Sequence, residues 1–425
     1  MGEKSAELQV QNPASCLGAF TMKTHIFLSL ALSAVAGAVS AQSSVTLYGV
    51  ADAALYRVSN TAGGTQTQLA SGLMDGSRWG LKGSEDLGGG LRAVFTLESR
   101  FEIDTGSVSN RPISGTAVPA RLTRGLSAGQ AAALAPVLAG VGGLQGVNLA
   151  GNLFDRQAFV GLVTPAGAFL FGRQYTPGFA TLAKYDINNA QGMAGPGALG
   201  MLLYPPVEIR RSNSLQYAIA QSGFSASLMH ALGEAKTATT SSSSGSLTGL
   251  NFSYDGGGFS AGLGYNTSKD ALGQDSLRTA LVGASYDFGF MKLSGLYSKF
   301  KDDNPASVPG IAALSAPAAA LLKPNLLQDA ALMHIGVSFG AGPGVLKVSY
   351  NRLDDKRPAN ADSASFGATY TYPFSKRTSV NLTAAHVTNK DFGQVALGGN
   401  GFSGGITSAP GTGSNSFGLG LRHNF

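Results

Sequence analysis

Ser416–Phe425 reads SFGLGLRHNF: Phe417, Leu419 and Leu421 alternate with Gly418, Gly420 and Arg422, and the segment ends on Phe425. Successive side chains of an extended strand point to opposite faces, so this stretch presents one apolar row and one small or polar row. A strand with lipid on one side and water on the other needs that division. The segment predicts the closing strand of a membrane β-barrel, and the rest of the chain has to supply the other staves.

Composition agrees. The chain is 44% hydrophobic and only 13% charged, which argues against disorder despite 59 glycines. Met22 and Lys23 precede an apolar run, Ile26 to Val39, that finishes in Val39-Ser40-Ala41. This pattern predicts a secretory signal peptide over 22–41 with cleavage after Ala41, preceded by an overcalled N-terminal extension, 1–21. The lone Cys16 falls in that extension, so residues 42–425 carry no cysteine and no disulfide. The net charge is +6, and removing Glu3, Lys4, Glu7 and Lys23 leaves it unchanged. The basic residues are scattered in runs of no more than two, which disfavours a nucleic-acid partner. Beyond the signal segment no stretch approaches the ~20 apolar residues of a spanning helix, so any membrane crossing is by strands.

The same dyad recurs at Phe259, Ala261, Leu263 and Tyr265 against Ser260, Gly262, Gly264 and Asn266, and at Leu346, Val348 and Tyr350 against Lys347, Ser349 and Asn351. Sixteen such strands are expected from 44–56 to 416–425, an all-β antiparallel barrel occupying 42–425. An even number lets the sheet close on itself, and closure matters because lipid offers no partner for an edge strand. Short connections such as Asp255-Gly256-Gly257-Gly258 and Ala341-Gly342-Pro343 alternate with long ones, as periplasmic turns alternate with outer loops. Tyr254, Phe259, Phe288, Phe290, Tyr372 and Phe374 flank the short turns, the position of an interfacial aromatic girdle. Two outer connections are long: 104–155, with an Ala-rich helical stretch at Ala131 to Gly140, and 301–330, with another at Ile311 to Leu322.

Strand parity places Arg78 and Lys82 opposite Trp79 and Leu81, and Arg92, Glu98, Arg100 and Glu102 opposite Leu91, Phe95, Leu97 and Phe101. Arg or Lys at the lipid midplane costs ~2–4 kcal/mol, so these charges are expected to face a wet interior. Arg156 and Arg173 begin and end their strands, and Arg210 and Arg211 lie where the following long loop rejoins the wall.

SRWGLKGSEDLGGGL (Ser77 to Leu91), SVTLYGV (Ser44 to Val50), DRQAFVGL (Asp155 to Leu162), FGRQYTP (Phe171 to Pro177), SNSLQY (Ser212 to Tyr217) and the final RHNF together resemble the general porins of Gram-negative outer membranes, in the beta-proteobacterial branch. The resemblance spans residues 42–425 in order. It implies a sixteen-stranded homotrimeric barrel among outer-membrane lipid and lipopolysaccharide, with its third outer loop, 175–210, folded into the pore. It also implies a basic wall of Arg78, Arg156 and Arg210 or Arg211, opposed by Asp186 and Glu208 from that loop. The long second and lengthened sixth loops depart from the family pattern, and the second either latches a neighbouring subunit or partly covers its own pore.

Arginines facing carboxylates across a narrow bore would set up a transverse field that low-dielectric walls focus on passing ions. The expectation is a general-diffusion channel for small hydrophilic solutes and small anions, with no cofactor. The alternatives are a substrate-selective channel shaped by the second and sixth loops, and an adhesin or receptor using those loops. His230, His334, His386 and His423 are isolated, no G-x-S-x-G is present, and GAGPG at 340–344 lies at a short turn, so the sequence carries no catalytic motif. The sequence does not decide whether acids such as Asp270, Asp275, Asp354 and Asp355 bind Ca²⁺, and such acids are more often solvated loop charges.

Overall fold

The computed structural model describes residues 44–108, 117–142, 152–190, 192–195, 208–234, 241–270, 272–305, 314–399 and 405–425. The expected signal segment and N-terminal extension lie outside these.

One antiparallel sheet closes on itself. Its strands are β1 (Ser44–Thr61), β2 (Gly64–Ser71), β3 (Arg78–Gly88), β4 (Leu91–Arg100), β5 (Gln157–Thr164), β6 (Gly167–Tyr175), β7 (Arg210–Gln221), β8 (Phe224–Ala231), β9 (Leu247–Gly256), β10 (Phe259–Lys269), β11 (Asp275–Asp287), β12 (Met291–Asp302), β13 (Gln328–Ala341), β14 (Gly344–Asp355), β15 (Ser363–Pro373), β16 (Thr378–Asn389) and β17 (Ser414–Asn424). These segments make sixteen staves, because β2 and β3 lie end to end against β1: Ala53–Thr61 pairs with β2 and Ser44–Val50 with β3. The first outer connection, expected over 57–76, is therefore mostly strand with a tight turn at Ala62-Gly63. Closure is between β1 and β17, with Val50 opposite Asn424 and Val58 opposite Ser416. Gly49 and Phe425 extend the ladder, exchanging hydrogen bonds of 3.0 and 3.1 Å.

The wall is inverted relative to a water-soluble sheet. Phe417, Leu419 and Leu421 are 52%, 49% and 53% exposed, whereas Ser416, Gly418 and Gly420 between them are buried. Leu263, Tyr265, Phe366 and Leu382 likewise point out, while Asn266, Asn351, Ser365 and Thr383 point in. Such a surface is stable only against hydrocarbon. The girdle aromatics sit beside the short turns and touch one another, with ring centroids 4.6 Å apart for Tyr286 and Phe288 and 5.3 Å for Tyr372 and Phe374.

Helices occur only in the outer connections among the described residues. Helices α1 (Ala128–Ala133) and α2 (Ala135–Gly142) lie in the second loop and α3 (Pro177–Tyr185) in the third. Helix α4 (Ala316–Leu326) lies in the sixth, displaced a few residues toward the C-terminus from the stretch expected.

Candidate functional site: the constricted lumen

Loop three enters the barrel on α3. Thr176 caps this helix, its Oγ1 accepting from Phe179 N at 3.2 Å, and Pro177 occupies the first turn, where its missing N–H costs nothing. Phe179, Leu182, Ala183 and Tyr185 pack on the inner wall against Leu281 and Leu296. The wall admits the loop because its inward row carries glycine along the track. A Cβ at Gly264 would collide with Thr181, at Gly283 with Tyr185, at Gly336 with Ile187 and at Gly367 with Ala194. Farther on, Ala194 O accepts from Ser349 Oγ at 2.7 Å and from Asn351 Nδ2 at 3.0 Å. The loop thus runs from β6 across to β14 inside the bore, as expected.

Asp186 follows α3, but it does not face the arginines. Its carboxylate accepts from the N–H groups of Asn188 (2.8 Å) and Ala190 (2.7 Å), fully buried against the wall. His334 Nε2 lies 3.5 Å from it and accepts the Ile187 N–H at 3.1 Å, so that nitrogen carries a lone pair and Nδ1 is left to donate to Asn351 Oδ1 at 2.7 Å. Burial raises the Asp186 carboxyl above its usual range, opposed by these amide donors. Glu208 is bound by Arg211, three residues on. Loop three has no other carboxylate between Tyr175 and Arg210. The acidic face expected opposite the arginines is therefore missing: one acid shapes the loop's own turn and the other neutralises Arg211.

The basic wall does assemble. Arg78, Lys82, Arg92, Glu98 and Arg100 share the inward row of β3 and β4, where Arg78 pairs with Arg100 and Lys82 with Thr96. Glu98 sits at the centre. Arg156 Nε lies 2.7 Å from its Oε1, Arg78 Nε 3.7 Å from its Oε2, and the Tyr48 hydroxyl donates to Oε2 at 3.1 Å. The Tyr175 hydroxyl accepts from Arg156 and Arg210, each at 2.9 Å, and the Arg210 guanidinium lies 4.5 Å from the Tyr175 ring centroid. That ring stacks on Phe179 at 5.4 Å, joining the basic wall to loop three. Arg100 pairs with Asp155 at 3.1 Å and with Glu102 at 3.9 Å. Lys82 lies over the Tyr48 ring at 5.2 Å.

Arg173 does not join this cluster. It continues the outward row of Phe169 and Phe171, and its guanidinium binds Asp155 O (2.5 Å) and Ser212 Oγ (3.0 Å). Alternation with Phe169 and Phe171 already puts it on the outward row; its position at the end of the strand alone brings it into the expected set.

Sequence reasoning passed over Asp75, Arg422 and the tyrosines. Between β2 and β3 the chain leaves the ladder and bends over Asp52, whose carboxylate accepts from the N–H groups of Leu73 (3.0 Å), Met74 (2.9 Å) and Asp75 (2.9 Å). The bend sets Asp75 2.6 Å from Arg422 and 3.4 Å from Arg78. Arg422 was legible from the alternation of β17; the bend was not.

Over the outer mouth, the long loops pack on one another. Leu122, Leu134 and Leu138 of loop two bury against Leu322 and Leu326 of loop six. Asn325 Nδ2 donates to Leu122 O (3.1 Å) and Arg124 O (2.8 Å), and Gln394 of the last loop accepts from Ala120 N (2.6 Å). Of the two expectations for loop two, its described part folds over its own barrel.

A closed sixteen-stave barrel with an apolar exterior, an inward-folded loop and a charged constriction defines a membrane channel. Residues 29–391 match the Gram-negative porin family, and the chain belongs to it and to the outer membrane. It is 30% identical to outer membrane porin protein 32 of Delftia acidovorans, over 94% of this chain and 99% of that one. It is 24% identical to an outer membrane porin protein of Bordetella pertussis, over 95% of this chain and 100% of that one. Among solved structures, the anion-selective porin from Comamonas acidovorans superposes with a TM-score of 0.69 at 28% identity, covering 90% of this chain and 100% of that one.

Proposed function

We propose that this porin passes small hydrophilic solutes by passive diffusion with a modest preference for anions, and that Arg78, Lys82, Arg100, Arg156 and Arg210 set the preference. One observation carries the reading: Arg210 and Lys82 have no ion pair among the described residues, while both carboxylates of loop three are engaged elsewhere. Uncompensated positive charge between low-dielectric walls raises the local concentration of anions and lowers that of cations. The likeness to an anion-selective porin supports the same sign. Reversal potentials across planar bilayers in a KCl gradient test it; a potential of the cation-selective sign refutes it.

The family resemblance supports a homotrimer with one pore per subunit, to be measured as the mass of the detergent-solubilised particle. The packed roof of loops two and six favours a second, compatible reading, in which the outer vestibule sorts solutes by size or shape before the constriction does. Saturable block of the current by one class of solute would support it.

A further inference from the structure

The second stave is interrupted partway along. Ala53 pairs with Ser71 of β2 and Val50 with Arg78 of β3, so the segment from Gly72 to Ser77 stands opposite only Ala51 and Asp52. The surplus chain is stitched at its base, where Ser77 Oγ accepts from Asp52 N at 3.0 Å and from Ser71 Oγ at 2.9 Å. It runs inward, because the N–H groups of Leu73, Met74 and Asp75 find their acceptor in the buried Asp52 carboxylate and would find none in lipid.

Inside the barrel the bend crosses two neighbouring strands. Leu73, fully buried, lies on the inward glycines of β17, where a Cβ at Gly418 would come 2.5 Å from its Cδ1, and Met193 of loop three reaches the same glycine. Leu73 and Met193 share one apolar cluster with Ala54 and Tyr56 of β1. Beyond β17, Thr383 of β16 lies 3.9 Å from Met74 Sδ. Loop three covers the inner wall from Gly264 of β10 to Gly367 of β15, and the bend continues that cover over β16, β17 and β1. This path delivers a carboxylate to the arginine wall. Asp75 lies 2.6 Å from Arg422 and 3.4 Å from Arg78, and its side chain is 16% exposed, against 6% for Glu98 and for Asp155. Glu98 and Asp155 are sealed among their arginines, whereas Asp75 keeps contact with the bore.

We propose that Asp75 is a specificity-determining residue of the channel: carried into the constriction by the bend, it supplies the negative charge that loop three does not, and it moderates the anion preference. The proposal deepens the anion-preference reading and rests on the same hydrated bore. An ion passing at roughly 8 Å feels one charge fewer when Asp75 is neutralised, which multiplies the ratio of anion to cation occupancy about fivefold. The bend is held through backbone groups, so the side chain at this position can be exchanged without releasing it.

Reversal potentials across planar bilayers in a KCl gradient are recorded for the wild type, Asp75→Asn, Asp75→Ala and the double variant Asp75→Asn/Arg422→Gln. Both single variants should raise the anion-to-cation permeability ratio about fivefold, although one keeps the shape of the side chain and the other removes it. The double variant, which loses one charge of each sign, should return close to the wild type. The shifts should shrink when the gradient is set near 1 M rather than 0.1 M salt, because the screening length falls from about 10 Å to about 3 Å. A bend acting by shape alone would show neither the agreement of the two single variants nor the dependence on salt. An unchanged ratio in both single variants, a double variant that stays displaced, or shifts that ignore salt would overturn the proposal. A wild type of the cation-selective sign would refute the anion preference, while a shift toward anions in both single variants would still support the role of Asp75.

Discussion

Arg156 and Glu98 form an ion pair of 2.7 Å with both side chains 6% exposed, and the same carboxylate also faces Arg78 at 3.7 Å. One acid thus organises two arginines, Arg78 being shared with Asp75 at 3.4 Å, and the charge of Arg210 and Lys82, which form no ion pair among the described residues, is left to act on the lumen. Reversing one arginine changes the local charge by two units. At roughly 8 Å through water that amounts to about 1 kcal/mol for a monovalent ion, unfavourable for an anion and favourable for a cation, or about thirtyfold in their relative occupancy. Arg78→Glu is expected to shift the anion-to-cation permeability ratio toward cations by about this factor, read from reversal potentials. Arg173→Glu, outside the cluster, is expected to leave the ratio where it was.

Gly283 faces Tyr185 with no room for a side chain between them. Gly283→Val would drive the end of α3 off the wall or strain β11, and overpacking of this kind costs ~1–3 kcal/mol. The expected result is a lower urea midpoint in detergent micelles, with conductance noisier or higher as loop three loses its seat. An unchanged midpoint with unchanged conductance would show that the loop does not lie on this track.

The staves were legible because period two and glycine-rich turns are local signals, and an apolar row facing lipid cannot hide in a sequence. β2 was not, since its GTQTQLAS carries a single large apolar side chain, Leu69, on an outward row otherwise made of Thr65 and Thr67. The arginines of β3 and β4 could be placed by parity alone. The fate of Asp186 could not: its tight turn is a matter of backbone geometry, and its burial depends on a wall more than a hundred residues away. The roof over the mouth was hidden for the same reason, since Leu122 and Leu326 meet only after the barrel has closed.

Burial holds the Asp186 carboxyl above its usual range, so between the ordinary carboxylate pKa and the raised one the folded protein binds more protons than the unfolded chain. This contribution to stability is fully present on the acid side of that window and is lost as pH rises through it. Asp186→Asn removes the titration and should flatten that part of the stability-versus-pH curve, measured by urea unfolding in micelles. Asp186→Ala, which strands the Asn188 and Ala190 N–H groups, should cost about 1–3 kcal/mol at any pH. A wild-type curve that rises through this window would contradict the sign.

Leu122 is fully buried where loops two and six meet, among Leu134 and Leu138 of its own loop and Leu322 and Leu326 of the other. Truncating a buried leucine costs about 2–5 kcal/mol where the surroundings cannot collapse. That is more than two short helical loops are expected to hold in reserve, so Leu122→Ala should open the roof while the barrel, whose ladder it does not touch, stays closed. Protease should then cut within loops two and six, and uptake of larger sugars by liposomes containing the porin should rise relative to that of small ones. The ion permeability ratio should not move, because the arginine wall lies below the roof and keeps its partners. A change in the ratio without any gain in large-solute uptake would mean that the roof acts through the constriction rather than above it.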